Sequence, residues 1–294
     1  MALHLCMLLK AEGLDPADVS LVFHKTKLQP FRRMLPWLVR QRADLFEAYQ
    51  AVHSTPAENT LKKRRFCASF VPLDEHLMMF VGVYCIAGFK ELPTSFIYAD
   101  RRYSELEETY GATDTGPTAN LARQATQLRF DLECSGYLAD FCGRLIVKSP
   151  MGRAYIRRAD KLNPEISELL AEPQFEPTCP DWRELVLDGL EVRNLPESWR
   201  ARLREWRGIY LIIDRAGGAR YVGSAYGLEN ILGRWLAHVA GDVGVTRELK
   251  KRSAKDFRFS ILERVSPDEV VEEVVALEHG WMNRLGTREW GLNA

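Results

Sequence analysis

The sequence predicts an α+β protein. Its carboxy-terminal part reads as a small three-stranded antiparallel sheet flanked by helices, and its amino-terminal part as a mixed α/β-containing domain, a curled sheet or small barrel. Three observations lead there. After residue 200, the short apolar runs "GIYLIID", "ARYVGSA" and "FRFSILERV" alternate with two stretches of helical period. Before residue 160, several runs are dense in aromatic and β-branched residues, as strands are. Between these regions, "EPQFEPTCPDW" carries three prolines, and Pro196 follows. Proline removes a backbone donor and breaks periodic elements, so the chain is expected to divide there. The expected layout is a recognition or targeting domain over 1–175, a connector over 176–200 and a second domain over 201–294.

The length of 294 residues suits one large domain or two ordinary ones. A hydrophobic share of 46% supplies real cores and excludes a disordered composition. The charges balance, with 40 basic and 40 acidic residues. From Arg200 onward there are 16 basic and 13 acidic residues, a tilt too small to identify a nucleic-acid surface alone. The six cysteines, at 6, 67, 85, 134, 142 and 179, form no C-x-x-C pair and no cluster with histidine. They read as free thiols of a reducing compartment. No run reaches the ~18 apolar residues that span a bilayer. The start "MALHLCMLLKAEGLDP" reads as an amphipathic helix, so a cytoplasmic protein is expected.

In the first domain, "DLFEAYQAVH" places Leu45, Phe46, Tyr49 and Val52 on one helical face. "RRFCASFVPL" and "HLMMFVGVYCIAGF" read as strands joined by a turn at Asp74-Glu75, and "GRLIVKSP" and "RAYIRRAD" as two more. In the second domain, Arg215-Ala216-Gly217-Gly218 joins two strands as a hairpin, because glycine tolerates positive φ. "GLENILGRWLAHVAG" is a helix with Leu228, Ile231, Leu232, Trp235 and Val239 on one stripe, ended by Gly241. The last helix is expected to open with a capping box, Ser266, Pro267 and Glu269. It then lines up Val270, Val274, Leu277, Trp281 and Leu285.

Several polar residues stand at fixed places in this second pattern. Gly208-Ile209-Tyr210 opens the first strand and Tyr221-Val222-Gly223 lies on the second. Arg234 and His238 follow four apart on one helix, Glu278 sits on the last helix and Asn293 comes fifteen residues later. In this order and spacing, the chain from about Arg207 to Ala294 resembles a GIY-YIG nuclease domain. It departs from compact members in the length of chain between Tyr221 and Arg234, where "AYGLEN" extends the turn. The resemblance implies a metal-dependent endonuclease using Mg²⁺ or Mn²⁺, with Tyr210, Tyr221, Arg234, His238, Glu278 and Asn293 as catalytic residues. It also implies that such a domain is usually tethered to one that targets it.

The residue chemistry agrees with hydrolysis of a phosphodiester, which needs an activated water, a cation on the phosphate and help for the leaving oxygen. Tyr210 and Tyr221 on paired strands can converge. A phenol near pKa 10 is a poor base at neutral pH unless neighbours tune it. Gly208 and Gly223 are expected to let backbone or phosphate approach closely. Arg234 offers a fork to two phosphate oxygens, and His238 lies one helical turn away. Glu278 is a hard oxygen ligand for one divalent ion, with water completing its shell. Taken singly, each has an ordinary role: tyrosines pack in strands, and Arg–His at i, i+4 is usually a solvated face. The six together favour the site.

Ser224, Lys250, Lys251, Arg252 and Lys255 are expected to touch DNA, double-stranded in preference, by phosphate contacts flanking the site. "LKKRRF" and "FHKTKLQPFRR" are further basic candidates in the first domain. The aromatics around Phe66, Phe70, Phe80 and Tyr84 suit either a core or a barrel mouth that reads a modified or flipped base. Two functions of different class follow. One is an active DNA endonuclease, of restriction or phage-defence type. The other is a non-cleaving nucleic-acid-binding or interaction protein that retains the fold.

Overall fold

A computed structural model describes residues 3–241 and 247–293 of the chain. It divides into two compact units, Met1–Pro177 and Thr178–Ala294, each with its own sheet.

The first unit is built on a seven-stranded mixed sheet. Its strands are β1 (Val19–Phe23), β2 (Phe66–Pro72), β3 (Leu77–Pro93), β4 (Thr126–Cys134), β5 (Leu145–Lys148), β6 (Ile156–Arg158) and β7 (Ile166–Leu169). The order runs β6-β1-β2-β3-β5-β7, with β4 also on β3. The length of β3 explains the branching. Its first residues, Leu77 to Met79, pair with β5, and Tyr84 to Pro93 pair with β4 on the same edge. Asp74 makes the turn into β3, where its Oδ1 accepts from His76 and Leu77 N–H at 2.7 Å. The parallel pairing of β1 with β2 was not legible in the sequence; "VSLVF" is buried throughout and so shows no alternation.

Alternate residues feed two cores. On one face Val22, Cys67, Met79 and Val81 pack with the helices Gln29–Gln41, Ala43–Gln50, Thr55–Leu61 and Arg101–Tyr110. On the other Leu21, Phe23, Phe70, Phe80 and Val147 pack with Leu5–Ala11. Phe70 and Phe80 are fully buried with ring centroids 5.6 Å apart, and Tyr84 is buried too. These aromatics are core, not a barrel mouth.

The second unit holds four antiparallel strands rather than three: β8 (Val186–Asp188), β9 (Gly208–Asp214), β10 (Arg220–Ala225) and β11 (Phe257–Arg264), in the order β10-β9-β11-β8. The extra strand lies in the stretch expected to be a connector. Residues 176–200 also carry the helix Gly189–Arg193, which opens on a capping box of Asp188 and Glu191, and the start of the helix Glu197–Glu205. Leu187, Val192 and Trp199 from this stretch are buried in the unit's core. The prolines punctuate short elements here; they do not mark a spacer.

Helix boundaries shift in two places. The first helix after the hairpin runs Asn230–Ala240 and ends as expected at Gly241 in the left-handed region. Leu228, assigned to its stripe, precedes it and is exposed. The last helix begins at Val271, so Ser266 does not cap it. Ser266 instead closes a turn, with its carbonyl accepting from Glu269 N–H. All six cysteines are free thiols. Among the described residues no helix is long and apolar enough to cross a membrane.

Candidate active site

The β9–β10 hairpin sets Tyr210 directly opposite Gly223, and Tyr221 opposite Ile212. Opposite residues in an antiparallel pair share a face, so both tyrosines rise from one side. That face packs against the helix Asn230–Ala240 within the core that holds Tyr210, Tyr221, Ile231 and Trp235. Arg234 and His238 lie on that helix one turn apart. The ring centroids of Tyr210, Tyr221 and His238 are 5.3 to 6.3 Å apart, a triangle of mutually touching rings.

Gly223 lies beneath this triangle. A Cβ there would fall on the Tyr210 ring and hydroxyl and on the Tyr221 ring. Its bareness therefore makes room for two phenols of the chain itself, a correction to the expected approach of phosphate. Gly208 is likewise a packing glycine. A side chain there would strike the Glu263 carbonyl at the β11 bulge, and its φ of 156° is one that side-chain-bearing residues rarely adopt.

The Tyr210 hydroxyl and His238 Nε2 are 2.7 Å apart, both buried. His238 Nδ1 is buried without a partner. Burial, and then the Arg234 charge, push the imidazole down to about 3, so it is neutral at physiological pH. Burial raises the phenol of Tyr210 well above the usual range, and it also raises Tyr221; Arg234 acts against both shifts. Arg234 lies close enough to both hydroxyls to act on them electrostatically. The Arg234 guanidinium is charged. Arg234 Nε is buried without a partner. Such orphans cost ~1–3 kcal/mol each, which a site retains where an incoming ligand satisfies them.

Glu278 is half-buried on the helix Val271–Leu285 and stays within electrostatic reach of Tyr210, Tyr221 and Arg234. Ser224, at the end of β10, donates to its Oε2 at 2.6 Å. Ser224 is buried, so its role is to fix that carboxylate, not to meet DNA. Sequence reasoning had the residue but not its partner. Asn293 is also recast. Its side-chain amide donates to the Val222 carbonyl at 2.7 Å and accepts from Val222 N–H at 2.8 Å, as a neighbouring strand would. With buried Leu292, whose N–H donates to Arg220 O, it docks the tail on β10; Trp290 is exposed.

The basic group beside the hairpin separates into two kinds. Arg252 forms an ion pair with the buried Asp214, whose Oδ1 also accepts from Ala216 N–H at 3.1 Å. It locks the hairpin turn. Lys251 pairs with Glu248 at 2.6 Å, while Lys250 and Lys255 are exposed.

No protein-family model matches the sequence, and no curated protein does. Among solved structures, the chain is similar to the catalytic domain of homing endonuclease I-TevI, with 27% identity over 29% of this chain and 95% of that one, at a TM-score of 0.25. A superposition of that quality leaves the site to be read from its own geometry.

Proposed function

We propose that the chain is a divalent-metal-dependent endonuclease of the GIY-YIG kind that hydrolyses phosphodiester bonds in DNA, double-stranded in preference. In this reading the first unit targets it, in restriction or phage defence. The observation that carries the reading is the 2.7 Å contact between the Tyr210 hydroxyl and a neutral His238, beside a half-buried guanidinium.

Burial disfavours a free Tyr210 phenolate. Tyr210 therefore works as a relay. A water proton passes to its oxygen as its own proton passes to His238 Nε2, and the water oxygen bonds to phosphorus as the bond to the leaving oxygen breaks. Arg234 binds the phosphate, and its unpartnered Nε–H gains an acceptor. The phosphate's charge offsets the two influences that hold the imidazole neutral, burial and Arg234, so His238 becomes a better base when substrate arrives. Tyr221 braces the Tyr210 ring and shares Arg234.

The donor set fits a hydrated Mg²⁺ or Mn²⁺. Glu278 offers one carboxylate whose Oε2 is fixed by Ser224. Among the described residues no group of three or more His, Cys, Asp or Glu surrounds a point. Magnesium keeps several waters and accepts such a site. Glu278 would hold the ion, and the ion when bound would supply charge stabilisation at the phosphate. A plasmid-nicking assay with Mg²⁺ or Mn²⁺ against EDTA, on modified and unmodified DNA, tests the reading. Metal-dependent nicking that Tyr210→Phe loses is expected. Wild-type protein that nicks neither DNA with either ion would sink it.

A further inference from the structure

The first unit holds a recess of about 380 Å³ that takes no part in the hydrolysis proposed above. Its volume lies in the ~300–1,000 Å³ range of small-molecule sites. The walls are rings: His24, Tyr49, His53, Tyr98 and Tyr155 all line it. We infer that this recess binds a nucleotide, with the base between the aromatic walls and the phosphate on the cations at its mouth.

The floor is polar and held in place. Gln127 donates to the His53 carbonyl at 2.7 Å and accepts from the Tyr98 hydroxyl at 3.2 Å. Asn120 donates to Gly116 O at 3.0 Å. Thr26 reaches Asp114 at 3.4 Å. His24 is 2% exposed, lines the recess and has a buried Nε2 with no partner. A buried polar atom is almost always bonded, so this one marks a place for a ligand atom. Both histidines are neutral, pushed by burial to about 3 at His24 and about 4 at His53. Burial also raises the Asp114 carboxyl. The walls thus present donors and acceptors with little charge, which suits the edge of a neutral base.

The cations lie beside this floor. Lys25 lines the recess and has Arg157 and Arg32 close enough to repel it. All three are held by backbone carbonyls: Lys25 by Pro150, Arg32 by Thr26 and Asp74, Arg157 by Ala154 and Met151. None has a carboxylate partner among the described residues. Arg123 adds a fourth charge on the exposed rim. Lys25, Arg32 and Arg157, without a carboxylate partner beside an aromatic recess, fit a phosphate attached to a base. Lys25 and Arg32 belong to "FHKTKLQPFRR", the basic segment that the nuclease site leaves unexplained.

The nucleotide has two possible sources, a base extruded from a DNA strand or a free mononucleotide. The first rests on the DNA reading above; the second does not. The full chain, in EDTA so that no strand is cut, is titrated with the four deoxynucleoside monophosphates and 5-methyl-dCMP. It is also titrated with short duplexes whose central pair is matched, mispaired or methylated. A base that leaves the stack cheaply binds tighter when extrusion is part of binding. Ser54→Trp plugs the recess from its exposed rim, and His24→Phe removes the unpartnered nitrogen of its wall; folding of each is checked by circular dichroism and melting. Mispairing is expected to tighten duplex binding about 10-fold, ~1.4 kcal/mol, and either variant to abolish the gain. Mononucleotide binding lost in the variants, with duplex binding indifferent to them, assigns the recess to a free nucleotide. If neither ligand is bound, or binding is unchanged in both folded variants, the inference is overturned. Nicking is scored separately, so it and the nuclease reading can fail independently.

Discussion

Both units bury histidine against tyrosine, yet they arrange the pair for different work. In the second unit the Tyr210 hydroxyl meets His238 Nε2 at 2.7 Å, and an arginine stands beside them. In the first the Tyr155 hydroxyl is 3.4 Å from His53 Nδ1, His24 has an unpartnered ring nitrogen, and the ionisable neighbour is an acid, Asp114. A short phenol–imidazole contact is a route for a proton. A looser set of rings around open volume is a seat for a ligand. The same residue types therefore separate into chemistry and recognition by less than an ångström in one contact and by the sign of one neighbour.

Removing the groups that only hydrolysis needs gives the largest expected effects. Glu278→Ala should abolish cleavage while DNA binding survives, because the acid serves the metal and repels phosphate. Arg234→Ala should slow turnover by about 10² or more, the range for loss of one charge-stabilising donor. Neither should alter nucleotide binding by the first unit. Steady-state nicking and filter binding measure both. Full nicking by purified Glu278→Ala protein would remove the chemical half of the comparison.

Next comes the scaffold of the phenol pair. Gly223→Ala drives a Cβ into the Tyr210 ring. The hairpin backbone cannot retreat without breaking its register, so Tyr210 must leave His238. A loss of ~1–3 kcal/mol is expected, as for other overpacked cores, with nicking lost further than the melting temperature suggests. Retention of wild-type nicking would show that the 2.7 Å contact is dispensable.

Arg252→Ala distinguishes a lock from a DNA contact. It leaves the buried Asp214 carboxylate with little more than Ala216 N–H. Breaking a fully buried pair costs ~3–5 kcal/mol; Arg252 is one-third exposed, so about 2 kcal/mol is expected. Lys250→Ala and Lys255→Ala, both at exposed positions, should leave stability within ~0.5 kcal/mol. An Arg252→Ala protein of unchanged melting temperature but weaker DNA binding would restore the phosphate-contact role.

How much could be read beforehand follows the same division. Tyr210, Tyr221, Arg234 and His238 lie within one hairpin and the helix after it, so the strand and helix pattern placed them near one another, and the resemblance to a GIY-YIG domain made them a site. The partner of Ser224 was hidden because Glu278 is brought to it by a helix far along the chain. Asn293 was found by position, but its bonds to the Val222 backbone were not, since a side chain acting as a strand leaves no periodic trace. The recess of the first unit draws on residues from His24 to Tyr155, scattered over strands, helices and loops, and no local pattern marks them. The fourth strand of the second unit was hidden by the prolines around it, because three residues of strand are too few to show a period.

The smallest effect compares the units by acid sensitivity. A histidine held near 3 or 4 in the folded chain and near 6.5 unfolded takes its proton only on unfolding across that interval. The unfolded state then binds more protons, so stability is fully present above about 6.5 and falls as pH drops toward the folded value. Each such group contributes a slope of up to ~1.4 kcal/mol per pH unit. The first unit has two, His24 and His53, and the second has one, His238. Asp114 and Glu58, raised by burial, act in the opposite sense where they titrate and flatten the first unit's slope at the acid end. Between pH 6.5 and 5 the first unit should lose stability about twice as steeply as the second. Six of the seven tryptophans, all but Trp37, lie in the second unit. Tryptophan fluorescence therefore follows that unit, while far-ultraviolet circular dichroism follows both. His24→Phe keeps the ring against Phe46 and Tyr49 and should remove about half of the first unit's slope. Equal slopes in the two signals, or an unchanged slope in His24→Phe, would mean that His24 is not held neutral by burial, and the neutral wall assigned to the recess would go with it.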